Sequence, residues 1–337
     1  SVARNKGLIK MNKNTIIAVL AILIALAAPF MMYPVLLMKL LCFALFACAF
    51  NLLIGYTGLL SFGHAAFLGG AGYIAGYVIR DLGLPFEIGI VAGVAFAAVI
   101  GLIMGMLAIR RQGIYFTMIT LALAQMLYFI FLQAPFTGGE DGLQGIPRGT
   151  LLGVVDLSDD LTLYFVVLAI CIAGYALIVR TVHSPFGQVL KAIKENEPRA
   201  ISLGYDVDKY KLLVFVLSAA LSGLAGATKA TVLGFETLTD VHWTMSGLVV
   251  LMTLVGGLGT LAGPIVGAIV IIALENRIGE FGTWMAVTTD IAWFRSLGEQ
   301  VTIVTGFIFI VVVLAFRRGI VGEIIAWNQR RVLKAGQ

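Results

Sequence analysis

Charge is scarce in this chain: Asp, Glu, Lys and Arg make up 12% of its 337 residues, against roughly 25% in soluble domains. The shortage is organised. Thr15–Met38, Leu40–Ile79, Ile88–Ile109, Gln112–Gly139, Leu161–Val179, Leu212–Thr228, Val241–Leu274 and Gln300–Phe316 contain no formal charge at all. A membrane-spanning helix needs about 20 apolar residues, so these runs exclude a soluble globular protein. Hydrophobic residues reach 60%, and the mean hydropathy is +1.00.

Catalytic and redox signatures are missing too. No G-x-x-x-x-G-K-[ST] is present to cradle nucleotide phosphates, and no H-E-x-x-H, C-x-x-C or G-x-S-x-G occurs. His64, His183 and His242 are scattered. Cys42, Cys48 and Cys171 fall inside apolar runs without disulfide or metal spacing, as small buried hydrophobes do. The apolar runs hold no carboxylate of the kind an ion-coupled pump keeps within the membrane. The driving energy for any transport is therefore expected from outside this chain. The net charge of +5 reflects basic residues at helix ends, not a nucleic-acid surface.

What is present reads as one all-α polytopic membrane protein. Residues 1–14 form a basic cytoplasmic lead, 15–318 a single membrane domain and 319–337 a basic tail. Spans are expected near 15–33, 36–54, 55–78, 86–109, 114–133, 161–180, 211–233 and 300–316, about eight full crossings. Lys39 would snorkel from the second of these. Lys229 would snorkel or pair with Glu236. The loop 134–160 is acidic and faces outward.

Glycine interrupts two stretches. GYTGLLSFGHAAFLGGAGYIAGYV begins at Gly55, and GGLGTLAGP spans residues 256–264. Glycine costs roughly 1 kcal/mol per helix-interior position, so such density means close backbone packing or a broken helix lining a cavity. If residues 246–274 enter and return as two re-entrant half-helices, most Lys and Arg, including Arg317, Arg318, Arg330, Arg331 and Lys334, fall on the cytoplasmic side. Paired broken helices also point to a translocation path. Its candidate residues are Ser61, His64, Thr117, Thr120, Gln125, Gly256, Gly257 and Gly259. For the threonines, bonding back to their own helix is an equal alternative.

Between two spans lies SPFGQVLKAIKENEPRAISLG, residues 184–204. Ser184 suits an N-cap and Pro185 a first helical position. Phe186, Val189 and Ile193 fall on one apolar face. Pro198 ends or kinks this helix, and Gly204 terminates a second short turn. Such a segment can lie on lipid headgroups or dock on another protein.

These motifs resemble a known family. NLLIGYTGLLSFGHAAF (51–67), TGGEDGLQGIP (137–147), the run 184–227, SGLVVLMTLVGGLGTLAGPIVGA (246–268) and FRRGIVG (316–322) are similar to the Liv-type permeases of branched-chain amino-acid ABC importers, the M-type above all. The lead before Met11 lies outside the pattern. The resemblance implies a multi-pass inner-membrane permease with both termini cytoplasmic. It implies a heterodimer with a second related permease, two cytoplasmic ABC ATPases that hold ATP and Mg, and a periplasmic substrate-binding protein. This chain would carry no cofactor and no catalytic or metal site. Residues 183–210 would be the ATPase-coupling segment, with Phe186, Val189, Ile193, Glu195, Asn196, Glu197, Ala200 and Gly204 as its coupling positions. A urea or short-amide importer, a self-contained secondary transporter or channel, and a membrane enzyme are the competing readings.

Overall fold

The computed structural model describes the backbone of residues 13–289, the side chains of 20–276, and isolated positions between 306 and 327. The basic lead up to residue 12, the expected last span at 300–316 and the tail arginines and lysine lie largely or wholly outside the described residues.

Helices dominate, and they follow the charge-free runs. They are α1 (Lys13–Ala27), α2 (Pro34–Thr57), α3 (His64–Arg80), α4 (Phe86–Ala108), α5 (Ile114–Gln133), α6 (Asp160–His183), α7 (Pro185–Glu195), α8 (Glu197–Ser202), α9 (Val207–Leu233), α10 (Leu238–Val241), α11 (Trp243–Gly256) and α12 (Gly263–Thr289). Among the described residues, α2, α4, α5, α6 and α9 are long and apolar enough to cross a membrane. Leu20–Phe30, Trp243–Gly256 and Gly263–Asn276 are shorter apolar stretches. The fold is thus an all-α polytopic membrane protein. Four two-residue strands, β1 (Leu143–Gln144), β2 (Thr150–Leu151), β3 (Val155–Asp156) and β4 (Phe235–Glu236), pair only in the connections.

The glycines and alanines of the sequence make the core. α9 lies against α2, α3 and α4. Gly93 and Gly101 of α4 sit on Ala227 and Ala219 of α9, and Gly223 of α9 returns the contact on Ala97. Backbones approach closely there because no side chain intervenes. The lipid-facing sides of α4 and α5 leave Val91, Val99, Leu107, Met118 and Phe129 exposed.

Contacts sort the connections into two ends. Lys194 of α7 bonds the Gly55 carbonyl near the end of α2, and Gln112 between α4 and α5 bonds Glu197 of α8. This end also holds the 257–262 turn, and it is basic, with Arg110, Arg111, Arg180, Lys191 and Arg199 nearby. At the other end Arg80 bonds the Gln144 carbonyl, β1 pairs with β4, and Arg148 meets Asp160 at 2.6 Å. That end carries Glu87, Glu140, Asp141, Asp156 and Asp159.

The re-entrant pair differs from expectation. α11, with 14 residues, is a half-helix of about 21 Å at 1.5 Å per residue. α12 is not its mirror, because it runs for 27 residues. After Pro264 at its first turn the helix continues without a break to Thr289, but its apolar part is Gly263–Asn276, as short as α11.

Candidate functional site

The segment between α2 and α3 is the structural oddity. Gly58, with φ +77°, ends α2 in a left-handed cap whose amide bonds Ile54 O. Residues 58–63 are then non-helical until His64 opens α3. Backbone groups away from water need partners, and polar side chains supply them. The Thr117 hydroxyl donates to Leu60 O at 2.9 Å. The Thr120 hydroxyl accepts the Phe62 amide at 3.2 Å, and Ser61 Oγ accepts that of Gly63 at 3.1 Å. Ser246 of α11 donates to Phe62 O at 2.8 Å and accepts the Ala65 amide at 2.9 Å.

His64 fixes the depth of this stretch. Its Nε2 lies 2.9 Å from Ser218 Oγ, which donates to Ala49 O. Ser218 stands 11 residues along α9, about 16 Å from that helix's basic end. α3 therefore begins well inside the membrane-spanning layer, and α11 starts against it. Phe50, Phe67 and Phe215 surround the imidazole edge-on.

Four of the expected path residues, Ser61, His64, Thr117 and Thr120, thus converge on one unwound segment. The threonines also bond back to their own helix, Thr120 to Thr117 O and Thr117 to Gly113 O. Gln125, five residues further along α5 and half-buried, takes no part in the cluster. Gly256, Gly257 and Gly259 lie at the other end of α11. Gly257 and Gly259 have φ +124° and +74°, which favour glycine. A Cβ on Gly256 would run into the carbonyl of Gly263, so the start of α12 can cross there. Asn51 of α2 holds this turn, accepting the Gly259 amide at 3.0 Å and donating to Thr260 O at 2.9 Å.

Asn51 and Ser246 were not singled out from the sequence, and Ser218 reads there only as a small packing residue of its span. Asn51 had a signal, since an amide in an apolar span needs a partner. The serines had none, because isolated serines in spans commonly bond their own helix.

The segment 184–204 forms the expected helix pair. Ser184 caps α7 through the Gly187 amide at 3.3 Å, and Asn196 caps α8 through the Arg199 amide at 3.1 Å. The apolar face, however, turns inward. Ile193 and Ala200 are buried with Val207, and Val189 packs on them. Phe186 stacks on Tyr210 with ring centroids 5.5 Å apart. Ile193 and Ala200 are thus covered by the chain itself, while Phe186 and Val189 stay half-buried; a short two-helix excursion has no other core. Glu197 is engaged as well, accepting from Lys211 Nζ at 2.7 Å and from Gln112 at 2.9 Å. Glu195, Asn196 and Gly204 remain exposed. So do Ile201 (57%) and Leu203 (68%), two apolar side chains on the outer side of the pair. At the adjoining turn, Asp206 bonds Lys209, which holds its carboxyl below the usual carboxylate range.

At the acidic end Lys229 is paired, as one of the two expectations had it. Its Nζ lies 3.2 Å from Glu236 Oε1 and 2.6 Å from Asp240 Oδ1, with all three groups buried. Among the described residues no three His, Cys, Asp or Glu gather as a metal site.

A family model described as branched-chain amino acid transport system / permease component matches residues 32–315. The chain belongs to this family. It is 26% identical over 257 residues to the high-affinity branched-chain amino acid transport system permease protein LivM of Escherichia coli, covering 69% of this chain and 60% of that protein. It is 28% identical over 190 residues to the autoinducer 2 import system permease protein LsrC of Klebsiella pneumoniae, covering 54% and 53%. It is 28% identical over 173 residues to the ribose import permease protein RbsC of Bacillus subtilis, covering 48% and 51%. The chain thus spans about 60% of the length of the LivM protein it matches.

Proposed function

We propose that this chain is the membrane-spanning permease subunit of an ATP-binding-cassette importer for branched-chain or related amino acids. The observation that carries the reading is the pair α7–α8, a short amphipathic helical excursion outside the spans at the basic end, in a chain of the permease family. It has no phosphate-binding loop of its own, so partner ATPases would hold ATP and Mg.

The ATPases would meet the outer side of the pair. Ile201, Leu203 and Tyr205 form its apolar centre, with Glu195, Asn196 and Arg199 at the rim, the usual layout of an interface. The basic end then lies in the cytoplasm of the inner membrane, together with both termini. A second related permease would complete the conduit, and a periplasmic binding protein would deliver substrate to the acidic end. In this reading the unwound segment 58–63, with its threonines, Ser61 and His64, borders the path.

The test is uptake into vesicles holding the chain with its co-expressed partner subunits and binding protein. Labelled leucine should accumulate only with ATP inside. Accumulation of urea or of ribose in place of leucine would reassign the substrate. Uptake by this chain alone, without ATPase partners, would overturn the reading.

A further inference from the structure

We infer that Lys194 is a positioning residue, linking α7 to the end of α2 and to the 257–262 turn so that displacement of α7 moves both. The inference rests on the reading of α7–α8 as the segment ATPases push on, and adds where the push goes.

α7 has two kinds of contact with the spans. One is apolar: α7 packs on α2 and α6 as well as on α9, with Leu190 and Phe186 against the main core and Ile193 beside Val207, and Phe186 stacked on Tyr210. Such contacts are non-directional. The other is polar. Lys194 Nζ donates to Gly55 O at 2.7 Å. Gly55 belongs to the last turn of α2, where carbonyls lack intrahelical partners and the helix dipole favours a cation. The Gly58 amide caps Ile54 O, which leaves Gly55 O to the lysine. Lys191, one turn earlier, places its Nζ 5.8 Å from the Tyr56 ring centroid. Two basic side chains of α7 therefore clasp one helix end.

That helix end is joined directly to the glycine turn. Asn51, one turn before Gly55, holds Gly259 N and Thr260 O. Gly55 has no side chain because a Cβ there would strike the Asn51 amide and come within 2.9 Å of Gly259 N. The route from α7 to the turn is thus Lys194, the last turn of α2, and Asn51, with a hydrogen bond at each junction. The turn then leads into α11, whose other end holds the unwound segment through Ser246. A directional bond between rigid helices fixes the register of α7 on α2, which non-directional apolar contacts specify less sharply.

The experiment uses the intact transporter in vesicles and reads substrate taken up per ATP hydrolysed. Lys194→Met should leave the ATPase subunits bound but lower that ratio at least tenfold, while Lys194→Arg keeps most of it. Lys194→Cys should behave like the methionine variant, and alkylation with 2-bromoethylamine, which rebuilds a lysine-length amine, should restore it. The same treatment of wild type controls for Cys42, Cys48 and Cys171. A wild-type ratio in Lys194→Met, or no recovery on aminoethylation, overturns the inference. Loss of the ATPases from Lys194→Met also overturns it, assigning the lysine to docking while the importer reading stands. Absence of ATP-driven uptake in wild type overturns both.

Discussion

Ser246 holds Ala65: the α11 hydroxyl accepts the first-turn amide of α3 at 2.9 Å while donating to Phe62 O at 2.8 Å. One side chain thus satisfies both sides of the junction where two helices begin inside the membrane layer. Ser246 is fully buried, so no water replaces it.

Ser246→Ala therefore strands a buried amide, worth about 1–3 kcal/mol when left unpaired, and a part-buried carbonyl. The purified protein should unfold several degrees earlier, and Ser246→Thr, which keeps the hydroxyl, should recover most of the loss. An unchanged thermal midpoint for the alanine variant would show that the segment 58–63 finds its partners elsewhere.

Lys229 answers two buried carboxylates at once. Removing one partner of a buried ion pair costs about 3–5 kcal/mol, so Lys229→Met should be among the most damaging single changes in the chain. Adding Glu236→Gln and Asp240→Asn to it removes the stranded charge and should raise the midpoint again. Were the triple variant less stable than Lys229→Met, the attraction within the cluster would not be what the lysine supplies.

The span ends were legible from charge alone: α4, α5 and α6 begin and end within a few residues of the charge-free runs. The cap at Ser184 and the glycine break at 256–264 were equally local features, whereas the Asn196 cap was not read from the sequence. The inward roll of the α7 face was not legible. An amphipathic helix announces that one face will be covered, not by what, and Tyr210 and Val207 that cover it follow a proline and a glycine in sequence. The length of α12 escaped for a related reason, since Pro264 marks a start and carries no information on the stop. Of the path candidates, Ser61, Thr117 and Thr120 converge because five α2–α3 backbone groups lack helical partners and these three side chains meet three of them, a need invisible until the helix break is seen.

Glycine positions in the helices divide by what faces them. A Cβ on Gly226 would overlap the backbone carbonyl of Leu68 in α3, whereas nothing lies within 4 Å of one on Gly247 in α11. Gly226→Ala should cost about 1–3 kcal/mol through overpacking. Gly247→Ala should instead stabilise α11 by up to about 1 kcal/mol, the propensity difference. Thermal unfolding of the two variants under one set of conditions should give shifts of opposite sign. A stabilising shift for Gly226→Ala would mean that α3 and α9 are not packed at this point, and a destabilising shift for Gly247→Ala would mean that its open side is covered.

The inward face and the outward face of α7–α8 make separable predictions. Ile193 is 3% exposed and Leu203 68%. Ile193→Ala removes buried methyls and should cost about 2–5 kcal/mol, loosening the helix pair from α9 before any partner is involved. Leu203→Asp alters a surface position, where substitutions usually stay within about ±0.5 kcal/mol, so the fold should survive. If the ATPases seat on the outer side, it is Leu203→Asp that abolishes their co-purification, because a carboxylate would then be buried unpaired at the centre of the contact. Affinity capture of the tagged permease, quantifying ATPase per permease, reads this directly. Full recovery of ATPase with Leu203→Asp would move the docking surface away from α8.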